Sequence, residues 1–327
     1  MVKVDLITGF LGTGKTTFIH KYIAYLHGLG KTVHVIENEF GSVSVDTLML
    51  QQDACSISDL SGACMCCTGK AKFMEMLVQA DEDGVDRVVI EPSGIYDVDE
   101  FFDVMFSESV KGHCEIGSII TIVDAKTDSR LSEESMYLMF SQLLAAGSVI
   151  MSKSQLFDKA EADDTITKLN GLMEHFGSSI RFGDDINRKD WDDYTDADFE
   201  AMMNSGYRIE EHVKEKSQHE IIYGTIELAD YCEDREDLEK RLHRLFEDPV
   251  YGDVIRVKGH IQDLGGQWYE INCSPDSLVI KPREIRKGLF VIIGQELNSD
   301  ALYGAFISRK KVKAERAAAK KAAKVQD

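Results

Sequence analysis

The chain of 327 residues lacks three things that narrow its function. It has no apolar run of membrane-spanning length, which argues against helical insertion into a bilayer. It has no internal repeat, which argues against solenoids and propellers. It is short of positive charge, with 37 Lys and Arg against 57 Asp and Glu, a formal net charge of −20. A surface of that sign repels nucleic acid and anionic lipid, so neither nucleic acid nor membrane is an expected partner. The opening MVKVDLITGF has one Lys, a short apolar stretch and then a glycine loop, with no small-residue cleavage site. No signal peptide is expected, and the cytoplasm is the expected compartment. Thiols stay reduced there, so a structural disulfide is the least expected use of the seven cysteines.

What is present is a chain of ordinary globular composition, 43% hydrophobic. Strand-like segments at 2–8, 31–40, 87–91, 117–125 and 147–153 alternate with helix-like ones at 16–30, 69–81 and 158–176. The pattern predicts an α/β fold, a mostly parallel sheet with helices on both faces. Asp5, in the middle of the first strand, has no explanation in the local pattern. From about residue 219 the order changes: strands at 221–228, 252–263, 267–273 and 288–295 surround a helix at 235–248 and precede one at 298–307. This predicts a small α+β domain with an antiparallel sheet. The expected organisation is a nucleotide-binding domain over 1–208, a charged linker at 209–218, the second domain over 219–308 and a basic Ala/Lys tail at 309–327.

GFLGTGKTT, residues 9–17, fits the pattern G-x-x-x-x-G-K-[ST] through Gly9, Gly14, Lys15 and Thr16, with Gly12, Thr13 and Thr17 completing the cradle. A strand precedes it and a helix follows. Glycines let successive backbone N–H groups curl around phosphate oxygens, and the helix start adds unpaired donors. Lys15 is expected on the β- and γ-phosphates and the Thr16 hydroxyl on Mg²⁺. In RVVIEPSG, Glu91 ends a strand and Gly94 follows three residues later. Glu91 is expected to hold the Mg²⁺ shell or orient a water, and the Gly94 backbone to approach the γ-phosphate. Lys153 in VIMSKSQLFD stands where a GTPase reads its base, but Gln155 replaces the usual Asp and Asp158 is out of register. A single amide acceptor discriminates guanine less well, so GTP is expected with ATP open.

SGACMCCTGK places Cys64, Cys66 and Cys67 within four positions. Disulfide, metal site, catalytic thiol and accidental cluster are all open. No His lies close in sequence to activate a thiol, and soft thiolates suit Zn²⁺ and similar ions, so metal binding leads. Glu37 and Glu39 are candidates for a fourth ligand, because they end a strand expected to lie beside the first.

Taken together, GFLGTGKTT, ENEFGSVSVD, CMCC, EPSG, VDA and KGHIQD…FVIIGQELNSDAL resemble the CobW family of metallochaperone GTPases, relatives of the hydrogenase and urease nickel-insertion GTPases. The segments occur in family order across nearly the whole chain. The resemblance implies a GTPase domain carrying Zn²⁺ or Co²⁺ at Cys64, Cys66 and Cys67, with Glu37 a nearby carboxylate. It implies that Asn38, Glu39 and Asp46 belong to a nucleotide-responsive segment. It further implies a C-terminal domain that helps choose the client, a metalloenzyme or cofactor-biosynthesis protein, with homodimers common in the class. Four departures stand out: Ala63 where Gly is usual before the first Cys, Pro92 after Glu91, Gln155, and the lack of a His-rich stretch. The expected function is nucleotide-driven delivery of a divalent metal. The alternatives are a nucleotide-gated metal or redox sensor, and an ATP-dependent activator of a cobalt or corrinoid enzyme.

Overall fold

The computed structural model describes residues 1–37, 56–59, 69–126, 131–210, 223–229, 231–263, 265–275, 277–283 and 288–306. Asn38, Glu39, Asp46, Cys64, Cys66 and Cys67 lie outside these, as do most of the expected linker and the basic tail. The chain divides into two compact units. Every described residue up to 210 belongs to the first and every one from 223 to the second.

The first unit carries strands β1 (Val2–Thr8), β2 (Val33–Glu37), β3 (Ser56–Asp59), β4 (Arg87–Glu91), β5 (Cys114–Asp124) and β6 (Ser148–Ser152). They form one sheet in the order β3-β2-β4-β1-β5-β6, every pairing parallel. Its helices are α1 (Lys15–Gly28), α2 (Lys70–Glu82), α3 (Val98–Met105), α4 (Glu133–Ala145), α5 (Lys159–His175) and α6 (Asp196–Met203). Alternate strand residues feed two cores, as a sheet covered on both faces requires. Val4, Leu6 and Ile119 pack with Phe73 and Leu77 of α2 and Phe101 of α3. Ile7, Ile120 and Ile122 pack with Phe18, Tyr22 and Leu26 of α1 and Phe199 of α6. Among the described residues, no helix is long and apolar enough to cross a membrane.

The strand order corrects one expectation. The strand ending in Glu37 does not lie beside the first; β4 intervenes and pairs with both. It also explains Asp5. With β4 next to β1, Arg87 reaches the fully buried Asp5 and donates to Oδ1 at 2.6 Å and to Oδ2, while the Tyr22 hydroxyl donates to Oδ2 at 2.8 Å and the Ser118 amide to Oδ1 at 2.9 Å. Burial pushes the Asp5 carboxyl upward, against the opposing pull of Arg87, Tyr22 and Ser118.

Helix α6 shows how a short helix is fixed by its ends. Thr195 and Asp198 form a reciprocal capping box, and Lys189 donates to Asp198 Oδ1 at 2.6 Å. The Lys189 hydrogen bond, then the Thr195 amide, hold the Asp198 carboxyl down at about 2. A depressed folded value stabilises above the unfolded value, and that contribution is lost as pH falls through the folded one. Stability is therefore expected to decline between about pH 4 and pH 2, and the decline to be shallower in Asp198→Asn. Denaturant titrations of both proteins across that window check this.

The second unit is a five-stranded antiparallel sheet in the order β10-β9-β8-β11-β7, made of β7 (Tyr223–Ala229), β8 (Asp253–Gln262), β9 (Trp268–Ser274), β10 (Ser277–Pro282) and β11 (Leu289–Gln295). Helices α7 (Arg235–Glu247) and α8 (Ser299–Ala305) pack on it. Leu238, Leu242 and Leu245 meet Val257, Ile271, Phe290 and Ile292. Arg241 ties the helices together, donating to both oxygens of buried Glu233 and to the Ala305 carbonyl at 2.6 Å.

Candidate functional site

The carboxyl ends of the parallel strands gather the candidate residues along one edge, where open α/β sheets bind ligands. β1 runs into the loop that starts at Gly9, β4 ends at Glu91, β2 at Glu37, β5 at Asp124, and Lys153 follows β6.

The loop 9–14 turns tightly into α1. Gly9, Gly12 and Gly14 all have positive φ. At Gly14 the value is 89°, which an L side chain rarely adopts, and the Trp191 ring lies 3.2 Å from where a Cβ would sit. The Thr13 hydroxyl donates to the Phe10 carbonyl at 3.0 Å, closing the turn. Helix α1 has no side-chain cap and no acidic residue in its first turn, whereas α3, α4 and α6 have both. Its N-cap is a glycine, which offers no side-chain oxygen to the first turn, and a helix start of that kind can receive an anion. The Lys15 ammonium folds back over the loop, donating to the Gly9 carbonyl at 2.8 Å and the Phe10 carbonyl at 3.3 Å.

Two contacts join the Glu91 segment to this loop. The Thr16 hydroxyl donates to Glu91 Oε1 at 2.8 Å across 75 positions of sequence. A hydroxyl and a carboxylate brought together are the hard oxygen donors that suit Mg²⁺. Gly94 presses on the loop, since a Cβ there would stand 2.7 Å from the Leu11 backbone nitrogen. Glu37 is in register with Glu91 across the β2–β4 pair and, on its other side, with Asp59.

Of the candidate residues, Gly9, Gly12, Thr13, Gly14, Lys15, Thr16, Glu91 and Gly94 are brought together. Thr17 is exposed on α1. Lys153 takes a left-handed backbone, φ 58°, and its ammonium pairs with the Asp124 carboxylate. Gln155 is exposed in the short 3-10 turn Ser154–Leu156. Asp158 serves as the N-cap of α5, in a capping box with Glu161, a full structural use for a residue out of register with the base-reading position. Among the described residues, no group of three or more His, Cys, Asp and Glu side chains is arranged to hold a metal ion.

Sequence reasoning missed Asp124 as the partner of Lys153, and it missed Trp191. The indole Nε1 donates to the Met151 carbonyl at 3.1 Å while the ring packs on Gly14 and edge-on to Phe18. The backbone of Asn187, bonded to Val149 and Met151, brings that segment alongside β6. Local sequence carried no signal for these contacts; each joins segments far apart in the chain.

A parallel sheet with this glycine loop, a lysine over it and an acid on the Thr16 hydroxyl defines a P-loop nucleoside triphosphatase domain. The chain belongs to the family described as CobW/HypB/UreG, nucleotide-binding domain, whose model matches residues 3–177. It is 32% identical over 170 residues to the zinc chaperone YjiA of Escherichia coli K12, covering 49% of this chain and 52% of that protein. It is 27% identical over 197 residues to the zinc-regulated GTPase metalloprotein activator 1 of Schizosaccharomyces pombe, covering 57% and 47%. The chain thus spans about half the length of the curated relatives it matches. Among solved structures, Zn(II)-bound YjiA GTPase from E. coli aligns over 94% of this chain and 98% of that one, at 22% identity and a TM-score of 0.42.

Proposed function

We propose that the chain is a metallochaperone that hydrolyses a purine nucleoside triphosphate, GTP first, to deliver a divalent metal ion, zinc first, to a client protein. The observation that carries this reading is the Glu37–Glu91 register. It pairs the candidate metal carboxylate with the acid that contacts Thr16 on neighbouring strands, which supports a nucleotide and a cargo ion sharing one edge of the sheet. The family membership and the names of the two relatives point the same way.

In this reading, the loop amides and the start of α1 hold the phosphates, Lys15 leaves its two loop carbonyls for the β- and γ-phosphates, and the Gly94 backbone approaches the γ-phosphate. Thr16 and Glu91 would hold Mg²⁺, which when bound neutralises charge on the transferred phosphoryl group. Asn38, Glu39 and Asp46 form the responding segment, and Cys64, Cys66 and Cys67, with Glu37, carry the cargo. Thiolate with carboxylate suits Zn²⁺ and accepts Co²⁺. Hydrolysis, by removing the γ-phosphate, separates the thiols and frees the ion, an order–disorder device of the kind other nucleotide switches use.

Zinc titration of the full chain with Mg²⁺ and a non-hydrolysable GTP analogue tests this. Cys66→Ala is expected to weaken zinc binding at least about tenfold, since losing a direct ligand costs no less than losing a residue that supports one. Unchanged affinity would remove the thiols from the mechanism. Repeating the titration with an ATP analogue tests the base preference left open by Gln155.

A further inference from the structure

Glu91 contacts Thr16, and three residues on Gly94 lies against the phosphate loop. The same segment is gripped from its other side by two consecutive residues of α4. Gln142 is fully buried, and its Nε2 donates to the Gly94 carbonyl at 3.3 Å and the Tyr96 carbonyl at 3.2 Å. Its own backbone carbonyl accepts the Thr121 hydroxyl of β5 at 2.7 Å, which anchors the gripping residue to the sheet. Ser141 donates to Asp97 Oδ1 at 2.9 Å and accepts the Val98 amide at 3.1 Å, fixing the start of α3. Leu138, Met139, Phe140, Leu143 and Leu144 surround these two residues in α4. Polar side chains buried at such positions are unfavourable unless their hydrogen bonds serve something.

Gln142 Oε1 is buried without a hydrogen-bond partner, and so is the hydroxyl of Thr8, the last residue of β1 before Gly9. Thr8 is in register with Thr121, the residue that anchors Gln142. Buried polar atoms are rarely left unpaired. The Gln142 carboxamide, whose Nε2 already holds two carbonyls of the 94–96 segment, therefore keeps an acceptor that its present contacts leave unused.

We infer that Gln142 is the positioning residue that holds the Gly94–Tyr96 segment against α4, and that it thereby sets how strongly the site distinguishes a nucleoside triphosphate from a diphosphate. This rests on the proposed approach of Gly94 to the γ-phosphate. A diphosphate has no γ-phosphate for Gly94 to meet, so its binding depends on the loop, Lys15 and α1. A triphosphate also needs the Gly94 backbone held in place. Removing the carboxamide frees that backbone and penalises the triphosphate alone.

The test is equilibrium binding of GDP and of a non-hydrolysable GTP analogue, with Mg²⁺, to the full chain. Gln142→Leu keeps the volume and removes the donor. Its preference for the analogue over GDP is expected to fall about tenfold with GDP affinity little changed, a typical coupling between two parts of one site. An unchanged preference overturns the inference. So does an equal loss for both nucleotides, which a merely structural role predicts. Should Gln142→Leu fail to fold, Gln142→Met, which also keeps the volume and removes the donor, is expected to lose the same preference about tenfold, and an unchanged preference there overturns it equally. A wild-type chain that binds neither nucleotide refutes the phosphate-site reading itself; one that discriminates while both variants match it refutes only the role of Gln142.

Discussion

Lys15→Ala is expected to lower kcat/KM for nucleotide hydrolysis by about a thousandfold, the upper range for deleting one preorganised donor aimed at developing charge. The geometry makes the effect specific. In this structure the Lys15 ammonium donates to two carbonyls of the loop itself, those of Gly9 and Phe10. Those carbonyls hold the cation on the loop before any phosphate arrives, so little rearrangement is needed for it to meet one. The same economy implies that truncation leaves the fold intact, because the Phe18 and Tyr22 face of α1, not Lys15, packs the core. Steady-state kinetics beside a thermal melt separates the two effects. Retained hydrolysis in a folded Lys15→Ala protein would remove the phosphate loop from the chemistry.

Arg87→Leu is expected to destabilise the first unit by about 3–5 kcal/mol, the cost of leaving a buried charge without its partner. Arg87 and Asp5 are both almost wholly inside, and Leu replaces the guanidinium with nothing that can answer Asp5. The Tyr22 and Ser118 hydrogen bonds remain, but they do not cancel a charge. The pH dependence carries the signature. Without Arg87, burial acts on Asp5 with less opposition and raises its folded value further above the unfolded one. An acid whose folded value is raised takes up its proton more readily in the folded state, so relative stability is greatest at low pH and falls as pH rises through the interval between the two values. The gap between wild type and Arg87→Leu should therefore widen from acid toward neutral pH, as urea titrations at several pH values would read. A gap independent of pH would mean that the loss comes from packing alone.

The phosphate loop, the parallel strands that carry it and the antiparallel character of the second unit were legible in the sequence, because each rests on local pattern. Gly9 through Thr16 needs no distant contact to be recognised. The order of the strands was not legible. Whether β2 or β4 lies beside β1 depends on pairings such as Lys3 with Arg87 that no local period encodes. Asp5 looked anomalous for the same reason, its partner being 82 positions away. β3 was missed because SISD is four residues long and carries a single large apolar side chain. α4 was missed along with its role, since the buried Ser141 and Gln142 look like surface residues until their hydrogen bonds to the 94–98 segment are seen. The local reading thus singled out Glu91 and Gly94, which the structure puts against Thr16 and Leu11, but not the helix that grips the segment behind them.

The chain has two tryptophans, and the structure puts them in different units: Trp191 against Gly14 in the first, Trp268 on β9 in the second. An indole in contact with the glycine turn proposed to hold phosphate would report on what enters that turn, while the other would report on a separate sheet. Replacing either one with phenylalanine would give a protein with a single tryptophan, so that, with excitation selective for indole, nucleotide arrival and events in the C-terminal sheet could be followed as separate optical signals without attaching a dye.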